Sequence, residues 1–269
     1  MTKKLNSTSD SGFLEGLVVS NKSLRSSGKD VMRYTGYETW SYRRWAWEFL
    51  RRNGDFIQAC ANLPDATDEG RSVCEAEVSR RFHLKKFKHC DDPYGRKLPV
   101  FNEIVYWRAE NGRSERKLKV ALRQDQLLVR FELEPALHAR KALNVQLDQV
   151  RRVLENQLEE LANERNIELS RDAFRVGSAS DMLRWLRMLD LKLYAKIPGV
   201  RARGDALTDA QIYQLLFPDE SKKKIDDEDC AEAFKDAYRT PMKLAEGDYL
   251  KLAIKDQEAR LNRSFPSVR

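Results

Sequence analysis

Three tryptophans, Trp40, Trp45 and Trp47, stand within eight positions in the stretch "WSYRRWAWEFLRRN", which also carries four arginines. Side chains this large need a core, and their spacing decides which element delivers them to it. Tyr42, Trp45 and Phe49 recur at i, i+3 and i+7, which predicts one apolar helix face. Arg44, Glu48 and Arg52 follow one another at i, i+4 and i+8, a ladder of opposite charges. Trp47 lies four residues from both Arg43 and Arg51, a spacing suited to cation–π contact. Asn53 and Gly54 mark the end of the helix. The competing reading, a stacking platform for nucleic-acid bases, needs the same rings exposed. The helical reading makes Tyr42, Trp45, Trp47 and Phe49 structural.

Charged residues make up 34% of the chain and the formal net charge is +7, a balance that favours a polyanionic partner without requiring one. No apolar run approaches the roughly 20 residues that cross a bilayer, and "FLEGLVVS" near the N-terminus is too short for a signal-peptide core. Cys60, Cys74, Cys90 and Cys230 show no pairing pattern, as in a reducing cytoplasm. A cytoplasmic protein with no membrane partner is expected. Residues 1–36, rich in Ser, Lys and Asn, read as a flexible arm.

After Pro99 the periodicity changes from helix to strand. "EIVYWRA" (103–109) is β-branched and aromatic, and "NGR" follows it as a turn signal. In "KLKVALR" and "LLVRFEL" apolar and polar residues alternate, which predicts a small antiparallel sheet over 103–133. A long helix is predicted over 137–165. Its Leu143, Leu147, Val150, Leu154, Leu158 and Leu161 form a near-heptad seam, either packed on the sheet or used for self-association. The fold class is then α+β: mostly helical, with the sheet in the N-terminal half and a helix-turn-helix-like C-terminal domain. Residues 37–170 form the N-terminal oligomerisation region and 171–269 the C-terminal DNA-binding domain.

That C-terminal part opens with two capping boxes, Ser178/Asp181 and Thr208/Gln211, and predicts a third helix over 227–239. Thr240–Pro241 is read as the cap of a fourth, with proline at its first position, and Gly247 as an interruption of it. Helix, short helix, helix is the order of a helix-turn-helix module. Arg184, Arg187, Arg201, Arg203, Lys222, Lys223, Lys224, Lys235, Arg239 and Lys243 are its candidate phosphate contacts. The acidic opening of the third helix, "DDEDCAE", opposes them. The nearest approach to a metal constellation, Cys74, His83, His89 and Cys90, lacks the close pairs of a zinc site. No metal or cofactor is expected. No phosphate-binding glycine loop or nucleophile elbow occurs either, so the reading is a non-enzyme.

The segments "WAWEFLRRN", "VRFELEPALHARKALNVQLDQVRRVLE", "LRWLRMLDLKLYA" and "EGDYLKLA", in this order, resemble the RovC-like transcription factors. The resemblance spans about residues 37–255. It implies a C-terminal domain that binds double-stranded DNA, a homo-oligomer such as a hexamer built from dimers, and activation of a type VI secretion or related operon in virulence. RNA polymerase is a candidate partner. Relatives on conjugative elements leave open a plasmid-maintenance role, and a nucleic-acid-processing enzyme is the third reading. The acids of the third helix depart from the family pattern, which looks arginine-rich there.

Overall fold

A computed structural model describes residues 28–65, 70–102, 126–129, 131, 134–166, 169, 176–197, 200, 204–223 and 226–264. Helix α1 (Tyr42–Leu50) starts where the Ser41 side chain accepts the Arg44 N–H. Asn53 ends that run and begins α2 (Gly54–Ala61), its carboxamide oxygen accepting the Phe56 N–H. The same carboxamide donates to Ala245 O at 2.9 Å, so one buried side chain joins three elements. Trp45, Trp47, Phe49 and Leu50 are fully buried. Burial is worth about 1.5–3 kcal/mol for a side chain such as Phe49 or Leu50. Tyr42 departs from the predicted face: it is the first helical residue and stays exposed. The rings therefore form a core, and the stacking-platform reading falls with their exposure.

Helix α3 (Arg71–Arg81) leads into a loop whose neck is a single antiparallel bridge between Leu84 and Phe101. Among the described residues this bridge is the sole β pairing, which overturns the predicted sheet and the α+β class: the protein is mostly helical. Residues 103–125 lie outside the described residues, and 127–129 and 131 form no strand. Alternating side chains define a strand only when a second backbone supplies the ladder, and none does so among the described residues.

Two compact units divide the chain: 1–106 with 175–269, and 107–174. The expected partition at residue 170 does not coincide with them, because the N- and C-terminal segments share one unit. In it α1 packs on α10 (Tyr249–Ser264) and on α6 (Ala179–Tyr194). Arg43 pairs with Asp256 at 3.1 Å, Tyr249 Oη donates to Phe82 O at 3.1 Å, and Gln257 Nε2 donates to Asn102 O at 2.8 Å. Residues 28–36, assigned to a flexible arm, are held against α6: the Arg187 Nε donates to Gly28 O at 2.9 Å, and Tyr34 is buried. Residues 1–27 lie outside the described residues.

In the second unit the predicted helix over 137–165 is two helices, α4 (Glu134–His138) and α5 (Lys141–Glu164). Helix α5 is 24 residues long. Leu147, Leu154 and Leu158 of the seam are exposed, at 48%, 46% and 53%, and Leu143, Val150 and Leu161 are half-buried. Such a leucine stripe on a long helix is an unusual surface for a protein chain.

Candidate nucleic-acid interface

Helices α6, α7 (Asp209–Leu216) and α9 (Asp227–Lys243) enclose one apolar cluster. Met188 and Leu191 come from the first, Ile212, Tyr213 and Leu216 from the second, Cys230 and Phe234 from the third. Both predicted capping boxes are present, Ser178 with Asp181 and Thr208 with Gln211. A one-turn helix, α8 (Pro218–Ser221), links the second to the third. Three helices in this order can carry a helix-turn-helix function.

Helix α9 differs from its predicted course. It runs through Thr240 and Pro241 to Lys243, and a wider π turn, Leu244–Asp248, passes the chain on to α10. Thr240–Pro241 therefore caps no new helix, and Gly247 sits inside the π turn. Proline removes one backbone donor and crowds the preceding carbonyls, and a widened turn just beyond it accommodates the strain without ending the rod. The buried Asn53 bond to Ala245 O satisfies one carbonyl of that turn.

The candidate phosphate contacts fall into three groups. Arg184 and Arg187 are occupied within the protein. The Arg184 guanidinium lies 4.7 Å from the centre of the Phe217 ring, and Arg187 donates to the carbonyls of Gly28 and Lys29. Burial lowers the Arg187 pKa, as for any cation taken from water. Arg201, Arg203 and Lys224 lie outside the described residues. The rest are exposed: Lys222, paired with Asp219 at 3.1 Å; Arg239, paired with Asp236 at 3.2 Å; and Lys223, Lys235 and Lys243, which have no carboxylate partner among the described residues. Lys235, Arg239 and Lys243 recur every four residues, so they form one basic stripe on the C-terminal half of α9. The first turn of α9 is the opposite. Asp226 caps it by accepting the Asp229 N–H, and Asp227 accepts from Gln214 at 2.9 Å. These acids suit the helix dipole and repel phosphate, so the basic end and the acidic end of one helix are separated.

The other feature of this unit is a buried charge network beneath α1. Arg52 donates to both carboxylate oxygens of Asp190 on α6, at 2.6 and 2.8 Å, and to Glu48 at 2.8 Å. Tyr34 Oη donates to the same Asp190, and Arg51 lies 3.7 Å from Glu48. Burial opposes the charge of Glu48, but Arg52 and Arg51 outweigh it and hold its carboxyl below the ordinary value. Burial likewise opposes the Arg52 charge, and Asp190 with Glu48 raises its pKa in spite of that. The predicted Arg44–Glu48–Arg52 ladder thus has one rung, Glu48–Arg52. Arg44 stacks on Trp40 instead, at 3.9 Å, and pairs with no carboxylate among the described residues. Arg33, Trp40, Arg44, Arg51, Arg52 and Tyr94 line a cavity of about 310 Å³ beside the network. Trp47 also changes partner: its cation is Lys88, 5.1 Å away, since Arg43 is held by Asp256 and Arg51 by Glu48.

Tyr34 and Lys88 were not among the residues the sequence singled out, and Asp190 entered only as part of the segment "LRWLRMLDLKLYA", with no role given to it. Asp190 leaves one trace, a lone acid inside the apolar run "MLDLKL", where an unpaired carboxylate cannot stay buried.

Residues 29–81 match the family model of a proteobacterial transcriptional regulator-like domain. The matched segment contains Tyr34, α1, α2 and α3, hence every member of the charge network except Asp190. No curated protein and no solved structure matches the chain. A regulator-like domain at 29–81 is consistent with regulation of transcription and with DNA as a partner. No helix among the described residues is long and apolar enough to cross a membrane.

Proposed function

We propose that the protein is a DNA-binding transcriptional regulator whose C-terminal three-helix assembly meets the phosphate backbone through the basic stripe of α9. The observation that carries this reading is the Arg52–Asp190 pair. It fixes a regulator-like segment directly onto α6, so that segment and the three-helix assembly share one compact unit. Lys235, Arg239 and Lys243, with Lys222 and Lys223 at the entry to the helix, supply the positive charge. The acidic first turn keeps the N-terminal end of α9 away from the backbone. Arg201, Arg203 and Lys224 remain part of the proposed surface.

Helix α5 supports the second part of the reading, a homo-oligomer joined through the exposed leucine seam. Linking several weak DNA-binding modules raises avidity by about 10²–10⁴ without any new base contact. Even-numbered assembly from twofold dimers follows if the seam pairs with its own copy. The resemblance to RovC-like factors favours activation of a type VI secretion or related operon. Mapping bound sites across a genome beside transcript changes in a deletion strain tests it. Bound promoters whose transcripts fall without the protein support activation; bound sites with no change in transcripts reject it.

A further inference from the structure

Cys60 lies on the last turn of α2, and the loop 85–100 brings His89 and Cys90 against it. One ligand atom from each of the three lies within 4.8 Å of the others. Of the constellation considered from the sequence, His89 and Cys90 are present, whereas Cys74 and His83 do not join them and Cys60 does. Cys90 Sγ is 3.9 Å from His89 Nδ1. Asp91 adds a fourth donor, with Oδ2 3.6 Å from His89 Nδ1 and Oδ1 4.0 Å from Cys90 Sγ.

These separations can be compared with those of a metal site. Zinc bonds of about 2.3 Å to sulfur and about 2.0–2.2 Å to nitrogen or oxygen put tetrahedral ligand atoms roughly 3.4–3.8 Å apart. The Cys60, His89 and Cys90 atoms need to contract by a few tenths of an ångström to about 1 Å, within reach of side-chain rotation, and the Asp91 carboxylate, which is not within 4.8 Å of all three, has to turn toward them. His89 Nδ1 accepts the Asp91 N–H at 3.2 Å, so that nitrogen is unprotonated, and its single lone pair has to leave this bond to ligate a metal. Cys60 and Cys90 are buried and unbridged, and two thiolates with one imidazole select a borderline-soft ion. Arg51, also buried, interacts electrostatically with Cys90 and offsets the negative charge that thiolates bring.

The loop itself needs a fastening. Between the Leu84–Phe101 bridge it has no regular element, a length that is uncommon in a compact domain unless it serves a function. Lys88 secures one half by donating to the carbonyls of Pro93 and Lys97, at 2.8 and 2.6 Å.

We propose that Cys60, His89 and Cys90, with the Asp91 carboxylate as fourth ligand, form a structural zinc site that fastens the 85–100 loop to α2. The test uses the full-length protein, purified under reducing conditions from zinc-supplemented cells, desalted and assayed for metal. About one zinc ion per chain is expected. Cobalt(II) in its place gives thiolate-to-cobalt charge transfer and the strong ligand-field bands of a tetrahedral site. Cys60→Ser and Cys90→Ser abolish both signals, whereas Cys74→Ser retains them. If either serine variant fails to fold, His89→Gln and Asp91→Asn carry the test. Loss of even an outer hydrogen-bond partner weakens metal binding by about 10–100-fold, so loss of the imidazole exceeds that. Stripping the metal with a chelator lowers the melting temperature of the parent and leaves Cys90→Ser unchanged. Reduced protein with little zinc and no cobalt bands overturns the proposal, as does equal metal content in the Cys60 and Cys90 variants. A Cys60–Cys90 disulfide formed instead of metal uptake overturns it in favour of a redox pair.

Discussion

Replacing Asp190 by alanine removes the partner of a guanidinium that α1 has already buried. Arg52 then retains Glu48 but loses two charge-assisted hydrogen bonds, of 2.6 and 2.8 Å, and Tyr34 loses the acceptor of its hydroxyl. The Asp190 side chain is 1% exposed and that of Arg52 11%, so water can replace little of this. Breaking a buried pair from one side costs about 3–5 kcal/mol, chiefly because the surviving charge stays desolvated. In a unit of this size each kcal/mol lowers the melting temperature by about 2–4 °C, so a fall of roughly 6–20 °C is expected. The assay is a double-mutant cycle by urea denaturation, with Asp190→Leu, Arg52→Met and the pair together. Removing both charges leaves neither unpaired, so the double variant should lose clearly less stability than the sum of the singles. Strictly additive losses, or an Asp190 variant that melts with the parent, would refute the claim that this pair fastens the regulator-like segment to α6.

Two further outcomes follow from the same physical arguments. Because the folded-state pKa of Glu48 is depressed, its contribution is fully present above the unfolded value of about 4.5 and is lost as pH falls through the lower folded value; urea midpoints measured from pH 6 down to pH 3 should drop more steeply in the parent than in Glu48→Gln, and parallel curves would contradict this. Leu154→Glu with Leu158→Glu should reduce the mass of the full-length protein in light scattering, since like charges on a leucine seam oppose pairing, and a parent that is monomeric at every concentration would reject the seam.

Two helix starts were legible because capping is local chemistry: Ser178 and Thr208 each accept an N–H three residues on, as their capping boxes predict, whereas the Ser41 cap of α1 was not singled out. Helix ends depend on what lies beyond. Thr240–Pro241 looks like a beginning, yet the packing of α9, the π turn and α10 carries the chain through it. The alternation in "LLVRFEL" misled for a related reason, since a strand is a relation between two backbones and a period of two describes only one. Charge was the least readable property. Arg184 and Arg187 count as basic residues, but an aromatic ring and two carbonyls occupy them. Nothing local links Arg52 to Asp190, 138 positions away, or Cys60 to His89 and Cys90 across α3.

The central claim, that the basic end of α9 meets the DNA backbone, is tested most directly by fluorescence anisotropy on one long duplex over a series of salt concentrations. The parent and the triple variant Lys235→Ala, Arg239→Ala, Lys243→Ala are compared, after circular dichroism confirms equal helicity. Each phosphate contact contributes about 0.9 to the slope of log affinity against log salt. The account predicts steeply salt-dependent binding by the parent, weaker binding by the variant, and a slope shallower by about 3. A variant that binds with the parent's affinity and slope would contradict it.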